Sequence, residues 1–209
     1  MKVRVAFVDD HALFVEGCKK LLEDEYDVVG TYNDARAFLL DFLKLKVDVV
    51  ILDVSMPHLN GLDAARELLK MDPKVRAIIL TMNEDPDIAA EAFRIGVAGY
   101  LLKRSAAAEL MLAIREVMNQ RYYVTPLLTK ELVGTLVQDS HARKPLYQLT
   151  SRQREVLQLL AEGRSMKQAA AVLHVSARTV AFHKYRMMQH LEVHSTAELI
   201  QFAVREGLV

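Results

Sequence analysis

The sequence has little cysteine and no long apolar segment. Its single cysteine, Cys18, cannot form an intramolecular disulfide, and its place in a helix-like pattern predicts a buried, unreactive thiol. No apolar run reaches the roughly 18 residues that a membrane-spanning helix needs. The first residues also lack a signal-peptide core and cleavage site. We therefore expect a cytoplasmic protein with no membrane partner.

The motifs of two large enzyme groups are absent as well. The chain has no GxxxxGK[ST] loop and no HExxH pair, which argues against a P-loop nucleotide hydrolase and against a zinc protease. The 52% hydrophobic and 26% charged residues are typical of a globular protein. A length of 209 residues allows one large domain or two small ones.

The formal net charge of zero is an average over two unlike regions. Residues 1–119 contain 15 basic and 20 acidic residues, a net charge of −5, whereas residues 149–209 contain 8 and 5, a net charge of +3. The acidic region favours metal or phosphate chemistry, and the basic region favours a polyanionic partner. Ordinary scatter of surface charge is the alternative, unless motifs follow the same division.

Residues 1–119 alternate between two hydrophobic patterns. Runs of β-branched apolar residues are typical of strands, and apolar residues at every third or fourth position are typical of helices. Five strands alternating with five helices predict an α/β fold with a doubly wound, five-stranded parallel sheet. The predicted strands are Val3–Val8, Asp27–Gly30, Val47–Asp53, Val75–Thr81 and Ala98–Leu102, and the predicted helices are Leu13–Leu22, Ala35–Leu45, Leu62–Met71, Ile88–Ile95 and Leu110–Val117.

After residue 119 the strand pattern stops. Residues 120–148 are predicted to form a linker with one helix, Pro126–Val137, followed by a polar segment. Residues 149–209 are helical throughout and predict a small all-α domain of four helices. The helix starts and stop are marked by capping-box pairs, an N-cap serine and a glycine: Thr150 with Gln153, Ser195 with Glu198, Ser176 and Gly163.

Polar residues stand where predicted strands end. Asp9 and Asp10 end the first strand and Asp53 ends the third, so their carboxylates meet at one edge of a parallel sheet. Such carboxylates repel each other unless a cation neutralises them, and hard oxygen ligands at an incomplete site suit Mg²⁺. Thr81 and Lys103 add a hydroxyl and an ammonium at the same edge. The site thus contains a nucleophile, a metal and donors for a dianion.

Each of these five residues has a simpler interpretation when taken alone. Either aspartate of the first pair is a good helix N-cap, the threonine can merely end its strand, and the lysine can be a solvated charge. Chance does not readily place all five at the strand ends of one sheet. We therefore interpret them as one site.

This pattern resembles the receiver domain of bacterial response regulators, a flavodoxin-like fold of the CheY type, over residues 1–119. The shared features are the acidic pair, Asp53 followed by Pro57 and Gly61, the threonine, and the sequence Tyr100-Leu101-Leu102-Lys103. The resemblance implies that a sensor histidine kinase transfers a phosphoryl group to Asp53. It also implies that Mg²⁺ is held by Asp10, Asp53 and the backbone carbonyl of Ser55, with Asp9 reaching the ion through water. Thr81 and Lys103 would hold the phosphoryl oxygens. Tyr100 would turn inward as Thr81 moves.

Two residues depart from the common receiver pattern. Arg104 follows Lys103 where many receivers have a proline after a cis bond, and a cis bond before a non-proline residue costs roughly 3 kcal/mol. The loop geometry is therefore open. Met82 follows Thr81 where a small residue is common, which motivates the hypothesis that access to the phosphoryl group is hindered and dephosphorylation is slow.

The second region resembles the LuxR-type helix-turn-helix, the effector of the NarL/FixJ response regulators, over nearly all of residues 149–209. The matching segments are Leu149-Thr150-Ser151-Arg152, Glu155-Val156-Leu157, Glu162-Gly163 and the run from Val175 to His183. The resemblance implies a scaffold helix near Ser165–Leu173 and a recognition helix near Ser176–Leu191 in the DNA major groove. A module that only docks proteins is the alternative.

Helical spacing divides the recognition helix into faces. Val180, Met187 and Leu191 form a core stripe. Gln189 lies with the residues of the opposite, groove-facing side, and Phe182 and Tyr185 there either meet thymine methyl groups or pack in the protein. Lys167, Lys184 and Arg186 are best placed to contact phosphates. The full set of predicted DNA-binding residues is Lys167, Arg178, Thr179, Ala181, Phe182, Lys184, Tyr185 and Arg186.

One such module makes few base contacts, so we expect a homodimer on a roughly palindromic site. By the resemblance, the last helix, Thr196–Val204, makes the dimer contact, although its Leu199, Ile200 and Ala203 can equally be core residues.

The sequence also leaves two rival functions to consider. A Mg²⁺-dependent phosphohydrolase needs a second acid two residues after the nucleophile, where this chain has Ser55. A regulator with an interaction-only receiver needs none of the five residues that are present. We therefore predict a DNA-binding transcription regulator controlled by phosphorylation rather than an enzyme.

Overall fold

The structure is a computed structural model that describes residues 2–138 and 149–209. Most of the polar segment predicted to end the linker lies outside these residues. Contacts divide the chain into two compact units. Among the described residues, the first unit contains the sheet and six helices, and the second contains four helices. The domain bounds from the sequence, 1–119, 120–148 and 149–209, stay a prediction.

The first unit contains a parallel sheet of six strands in the order β2-β1-β3-β4-β5-β6. Because β1 lies between β2 and β3, the strand order reverses there, and the carboxyl ends of β1, β3, β4 and β5 share one edge. The doubly wound parallel sheet is confirmed. The strands are β1 (Val3–Val8), β2 (Tyr26–Tyr32), β3 (Val49–Leu52), β4 (Arg76–Thr81), β5 (Gly99–Leu102) and β6 (Tyr123–Val124).

The five helices predicted between the strands are present. They are α1 (Ala12–Leu22), α2 (Ala35–Leu45), α3 (Gly61–Met71), α4 (Pro86–Ile95) and α5 (Ala106–Met118). The fifth begins four residues before its predicted start because its first residues are alanines, which favour helix without showing an apolar period. Cys18 of α1 is buried, and burial raises the pKa of its thiol to about 11, as expected of an unreactive cysteine.

The prediction that no strand follows residue 119 is wrong. Tyr123 and Val124 of β6 pair in parallel with Gly99 and Tyr100 of β5. Two residues are too few to show the alternation of a strand, so the sequence pattern gave no sign of it. The next residue, Thr125, is fully buried and its Oγ1 accepts a hydrogen bond from the Leu102 amide at 3.1 Å.

The helix predicted in the linker belongs to the first unit. A 3₁₀ turn, Pro126–Leu128, leads into α6 (Thr129–Gln138), which contacts α4. Leu132 of α6 is buried, and the ring of Tyr122 lies 5.9 Å from that of Phe93 on α4 in an edge-to-face arrangement. The segment after α5 is therefore packed against the sheet and α4.

The described residues of the second unit form four helices, and each helix starts directly after its capping residue. They are α7 (Ser151–Ala161), α8 (Met166–Val172), α9 (Ala177–His190) and α10 (Thr196–Arg205). The Thr150–Gln153 capping box, the Ser176 N-cap and the left-handed Gly163 are confirmed. Ser195 also caps α10, but the Glu198 carboxylate accepts from the His194 amide and the Ser195 hydroxyl instead of completing the predicted box.

Burial in the second unit shows which apolar residues of α9 and α10 belong to its core. Val180 and Met187 of α9 are fully buried, which confirms two members of the predicted stripe, while Leu191 is half-buried. On α10, Leu199 and Ala203 are fully buried. These two residues are therefore core residues of the unit.

Gly61 is fixed by the backbone that carries Asp53. Its amide donates to the Val54 carbonyl at 2.9 Å, and a Cβ atom on it would lie 1.9 Å from the carbonyl oxygen of Asp53. No rotamer change relieves a clash with backbone. Only glycine fits where α3 starts against the end of β3.

We expect Gly61→Ala to lower the free energy of unfolding by at least 1–3 kcal/mol, roughly the usual cost of overpacking. Gly17→Ala is the matched control, because a Cβ atom at that helical position meets nothing within 4 Å. It should raise the free energy of unfolding by roughly 0.5–1 kcal/mol. Urea unfolding followed by circular dichroism measures both, and equal effects would contradict the close approach.

Candidate functional site

The carboxyl edge of the sheet brings together two buried carboxylates and a buried ammonium. Lys103, directly after β5, places its Nζ 2.7 Å from Oδ2 of Asp53 and 2.8 Å from Oδ2 of Asp9. All three side chains are at most 7% exposed. Because these residues follow β5, β3 and β1, the parallel register of the sheet creates the site.

Burial sets the charge balance at Asp53. Loss of solvent raises the pKa of its carboxyl above the ordinary value, and the nearby Asp9 acts in the same direction. The hydrogen bond and charge of Lys103 and the Ser55 amide, 3.4 Å from Oδ1, oppose this rise without cancelling it. The ionised carboxylate therefore depends on a neighbouring cation.

Asp10 is the more exposed member of the acidic pair, and a residue that the sequence reasoning missed lies beside it. The Nδ1 atom of His11 is 3.0 Å from Oδ1 of Asp10 and 3.1 Å from Oδ1 of Asp9. Among the described residues, one potential ligand atom from each of Asp9, Asp10, His11 and Asp53 lies within 4.8 Å of the others. A histidine directly after the acidic pair was the available signal.

These donors fit Mg²⁺. Carboxylate oxygens from two strand ends are hard ligands, and an edge site leaves room for the waters that Mg²⁺ retains. The burial of Asp53 and Asp9 also supplies a physical need for positive charge. The ligands predicted from the sequence, including the Ser55 carbonyl, stay predictions.

Thr81 and Tyr100 complete the edge. Thr81 ends β4 and is 1% exposed, and its Oγ1 accepts from the Asn83 amide at 3.2 Å. Tyr100 is fully buried, and its hydroxyl donates to the Asn83 carbonyl at 2.9 Å. The tyrosine therefore has the inward orientation, linked through Asn83 to the loop after Thr81.

Met82 and Arg104, the two residues that depart from the common receiver pattern, flank this edge. The described residues contain no cis peptide bond, so the chain passes through Arg104 in a trans 3₁₀ turn, Lys103–Ser105. The Arg104 guanidinium pairs with Glu84 in the loop after β4. Met82 is 70% exposed. Its predicted effect on dephosphorylation stays a prediction.

In the second unit, α9 presents an exposed aromatic and basic face. Phe182 and Tyr185 are 59% and 60% exposed, so packing within the unit does not explain them. The Arg186 guanidinium lies 5.7 Å from the centre of the Phe182 ring. Arg178 on this helix and Lys167 on α8 are exposed too.

Three other predicted DNA contacts have less free surface. Lys184 is 8% exposed, and its Nζ donates to Thr196 Oγ1 at 3.2 Å and lies 4.6 Å from the centre of the Tyr185 ring. Thr179 shares a 2.8 Å hydrogen bond with the capping Ser176, and Ala181 is partly exposed. Lys184 therefore connects α9 to the start of α10 in the folded unit.

Family models match both units. Residues 5–115 match the response regulator receiver domain, and residues 147–203 match the bacterial regulatory proteins of the luxR family. The chain is a response regulator of this two-domain family. The described residues of this response regulator contain no helix long and apolar enough to cross a membrane.

Relatives and solved structures are similar to this chain over nearly its full length. The chain is 31% identical to the transcriptional regulatory protein DegU of Brevibacillus brevis, covering 100% of this chain and 95% of that one. It is 30% identical to the response regulator UvrY of Escherichia coli K12, covering 99% and 95%. A structure of two RcsB dimers bound to two parallel DNAs has a TM-score of 0.61 and 26% identity, covering 98% of each chain.

The charge balance of the receiver domain predicts the effect of Asp53→Asn in chelator-treated protein. Folding raises the pKa of the Asp53 carboxyl, so the protonated carboxyl favours the folded state. This contribution to the free energy of unfolding is lost as the pH rises from the ordinary pKa of about 4 toward the raised pKa. The amide of the variant does not ionise. The variant should therefore be more stable than the wild type at neutral pH, with the difference shrinking under acidic conditions.

Thermal unfolding against pH measures this difference. Asp41→Asn removes an exposed carboxylate and should change the free energy of unfolding by less than about 0.5 kcal/mol. Adding Mg²⁺ should stabilise the wild type and leave Asp53→Asn nearly unchanged, since a ligand stabilises only the state that binds it. A variant less stable than the wild type at neutral pH would contradict the argument.

Proposed function

We propose that this response regulator is a sequence-specific DNA-binding transcription regulator controlled by phosphorylation of Asp53 by a sensor histidine kinase. The observation that carries the proposal is the convergence of the buried side chains of Asp53, Asp9 and Lys103 at one edge of the sheet. It combines a nucleophilic carboxylate with a cation suited to phosphoryl oxygens. The exposed face of α9 supports the DNA-binding half of the proposal.

The transfer step requires Asp53 as the nucleophile. A carboxylate oxygen attacks the phosphorus of a phosphohistidine on the kinase, an O–P bond forms, and the P–N bond breaks with its electron pair going to the imidazole nitrogen. The product is an acyl phosphate that adds about 1.5 to 2 negative charges.

Neighbouring side chains of the receiver domain orient and hold the phosphoryl group. Asp10, Asp53 and the Ser55 carbonyl would hold Mg²⁺, with Asp9 reaching it through water, and the bound cation would neutralise charge on the phosphoryl oxygens. Lys103 and Thr81 then donate to those oxygens. Release of the Thr81 hydroxyl from the Asn83 amide links phosphorylation to the loop on which Tyr100 rests.

The edge is better suited to holding the phosphoryl group than to hydrolysing it. A phosphohydrolase needs a general acid two residues after its nucleophile, and Ser55 stands there. A receiver that acts without phosphorylation does not require a buried lysine bonded to the nucleophile. We therefore propose a phosphoacceptor with no enzymatic reaction of its own.

For DNA binding we propose that α9 enters the major groove. Arg178, Phe182 and Tyr185 lie on its exposed face, and the two rings are placed to contact thymine methyl groups. Lys167 and Arg186 are exposed cations that can bind phosphates. Ala181 and Thr179 line the same face. Lys184 is the weakest candidate because its ammonium is engaged within the fold.

A single module offers few base contacts, so we propose a homodimer on a roughly palindromic operator with half-sites about one helical turn apart. The RcsB structure similar to this chain contains dimers bound to DNA. We also propose that the protein works in the cytoplasm, where kinase and promoter DNA are both accessible.

Phosphorylation is tested with acetyl phosphate and Mg²⁺ and read by intact mass. We expect one phosphoryl group per chain, lost in Asp53→Asn and strongly reduced in Lys103→Met. The adduct should persist long enough to be isolated. The same time course tests Met82→Ala, which should lose the group faster, with a barrier lower by about 1 kcal/mol giving roughly fivefold.

Matched variants make this result specific. Met71→Ala changes another exposed methionine, on α3, and should retain the wild-type lifetime. An unmodified wild-type chain would contradict the phosphoacceptor, and rapid release of phosphate without an adduct would favour the phosphohydrolase. An unchanged lifetime in Met82→Ala would remove the predicted role of that residue.

DNA binding is tested on sites selected from random DNA with the phosphorylated protein. Phe182→Ala and Tyr185→Ala should each weaken specific binding by about 1–3 kcal/mol and relax the base preference at one position, because readout is lost. Lys167→Ala should weaken all sequences alike and lower the salt dependence.

Lys70→Ala, which removes an exposed lysine of the first unit, is the control and should bind as the wild type does. Unchanged affinity and preference in both aromatic variants would remove those residues from the readout face. An absence of any selected site would contradict sequence-specific binding itself.

A further inference from the structure

Thr125 continues the hydrogen bonds of β6 with its side chain. Its amide donates to the Tyr100 carbonyl of β5 at 3.0 Å, so a regular parallel ladder would next pair its carbonyl with the Leu102 amide. That carbonyl instead accepts from the Leu128 amide at 2.9 Å, in the 3₁₀ turn that leaves the sheet. Thr125 Oγ1 takes its place and accepts from the Leu102 amide at 3.1 Å. The hydroxyl thereby extends the pairing of β5 after the backbone of β6 has turned away.

The direction of this hydroxyl is fixed from a second side. It donates its hydrogen to Oε2 of Glu109 on α5 at 2.9 Å, which leaves an oxygen lone pair for the Leu102 amide. Thr125 is fully buried, and Leu102 is 1% exposed. Water therefore has little access to replace this bond. An apolar side chain at position 125 would leave the buried amide without its acceptor, which is unfavourable.

The bond lies next to the lysine of the candidate site. Leu102 is the last residue of β5, and Lys103 follows it directly, with its Nζ atom 2.7 Å from Asp53 Oδ2. On the other side of β5, Leu102 is paired in register with Thr81 of β4. The end of β5 is therefore held on both sides, and the Thr125 hydroxyl provides the hold on the β6 side. A displacement of this strand end changes the distance between the ammonium and the carboxylate.

We propose that Thr125 is a positioning residue for phosphoryl transfer, because it holds the end of β5 where Lys103 can bind the phosphoryl oxygens as they reach Asp53. This inference rests on the proposed function in taking Asp53 as the phosphoacceptor. Positions at a reacting centre matter because a shift of about 1 Å can lower a rate by up to roughly a hundredfold. Thr125 acts through Lys103, so its effect on the rate requires that lysine.

The test measures by intact mass how fast acetyl phosphate and Mg²⁺ phosphorylate the full-length chain. In this reaction Asp53 attacks the phosphorus, and the P–O bond breaks with its electron pair leaving on acetate. Thr125→Val keeps the shape of the side chain without its hydroxyl and should lower the rate on the order of tenfold. Thr125→Ser keeps the hydroxyl and should retain most of the rate. Thr129→Val, at an exposed threonine of α6, is the matched control and should react as the wild type does.

A double-mutant cycle with Lys103→Met separates positioning from general destabilisation. In the Lys103→Met protein, Thr125→Val should change the remaining rate by less than about twofold, because the residue through which it acts is gone. A general structural defect would lower both rates alike. Glu109→Ala, at a partly exposed residue, removes the acceptor of the hydroxyl hydrogen and replaces Thr125→Val if that variant does not fold. It should lower the rate severalfold, and only in chains that contain Lys103.

The Leu102 amide gives a readout that needs no phosphodonor. In chelator-treated protein its hydrogen exchange should be slow in the wild type and in Thr125→Ser, and faster in Thr125→Val. Unchanged exchange, an unchanged phosphorylation rate in Thr125→Val, or an equal loss of rate with and without Lys103 would each overturn the positioning role and leave the phosphoacceptor intact. A wild-type chain that acetyl phosphate does not modify would contradict the proposed function, and this role with it.

Discussion

The candidate site of the first unit depends on one interaction, the paired contact of the Lys103 ammonium with the carboxylates of Asp9 and Asp53. Two carboxylates this deeply buried are unfavourable together, and a single charge from a third strand end offsets their repulsion. The pairing requires β1, β3 and β5 to end at one level. The sheet thus allows residues that are 44 to 94 positions apart in the sequence to form one electrostatic unit.

The same strand that delivers Lys103 also organises the segment after α5. The Tyr100 carbonyl accepts from the Thr125 amide, and Thr125 Oγ1 donates to Glu109 on α5 at 2.9 Å. The Glu109 carboxylate also accepts from the Tyr123 hydroxyl, and burial together with that charge raises the pKa of Tyr123 to about 12. The end of β5 is therefore linked both to Asp9 and Asp53, through Lys103, and to the segment after α5, through Thr125.

Much of this molecule can be predicted from the sequence because its elements are locally marked. The β-branched runs of β1, β3 and β4 and the caps at Thr150 and Ser176 point to the right structures by short-range rules. The edge residues follow from strand topology. In contrast, β6 has too few residues to show a period, and its place depends on hydrogen bonds to β5.

Side-chain roles in three dimensions were harder to predict. Lys184 is a basic residue on the recognition helix and was therefore predicted to contact a phosphate. Its side chain is instead buried, and its ammonium donates a hydrogen bond to Thr196, twelve residues away. His11 gave no periodic signal, and its relation to the acidic pair depends on the turn between β1 and α1. Such roles arise from tertiary neighbours and not from spacing along one element.

The short strand β6 has a consequence for cutting the chain. A truncated chain that stops at residue 119 would leave β5 as an open edge with unpaired amides and carbonyls, and would uncover the surface of α4 that α6 covers. Exposed edges of this kind recruit other strands, so such a fragment is prone to aggregate. A shorter chain that keeps β5 paired with β6 and α4 covered by α6 has to extend through Gln138.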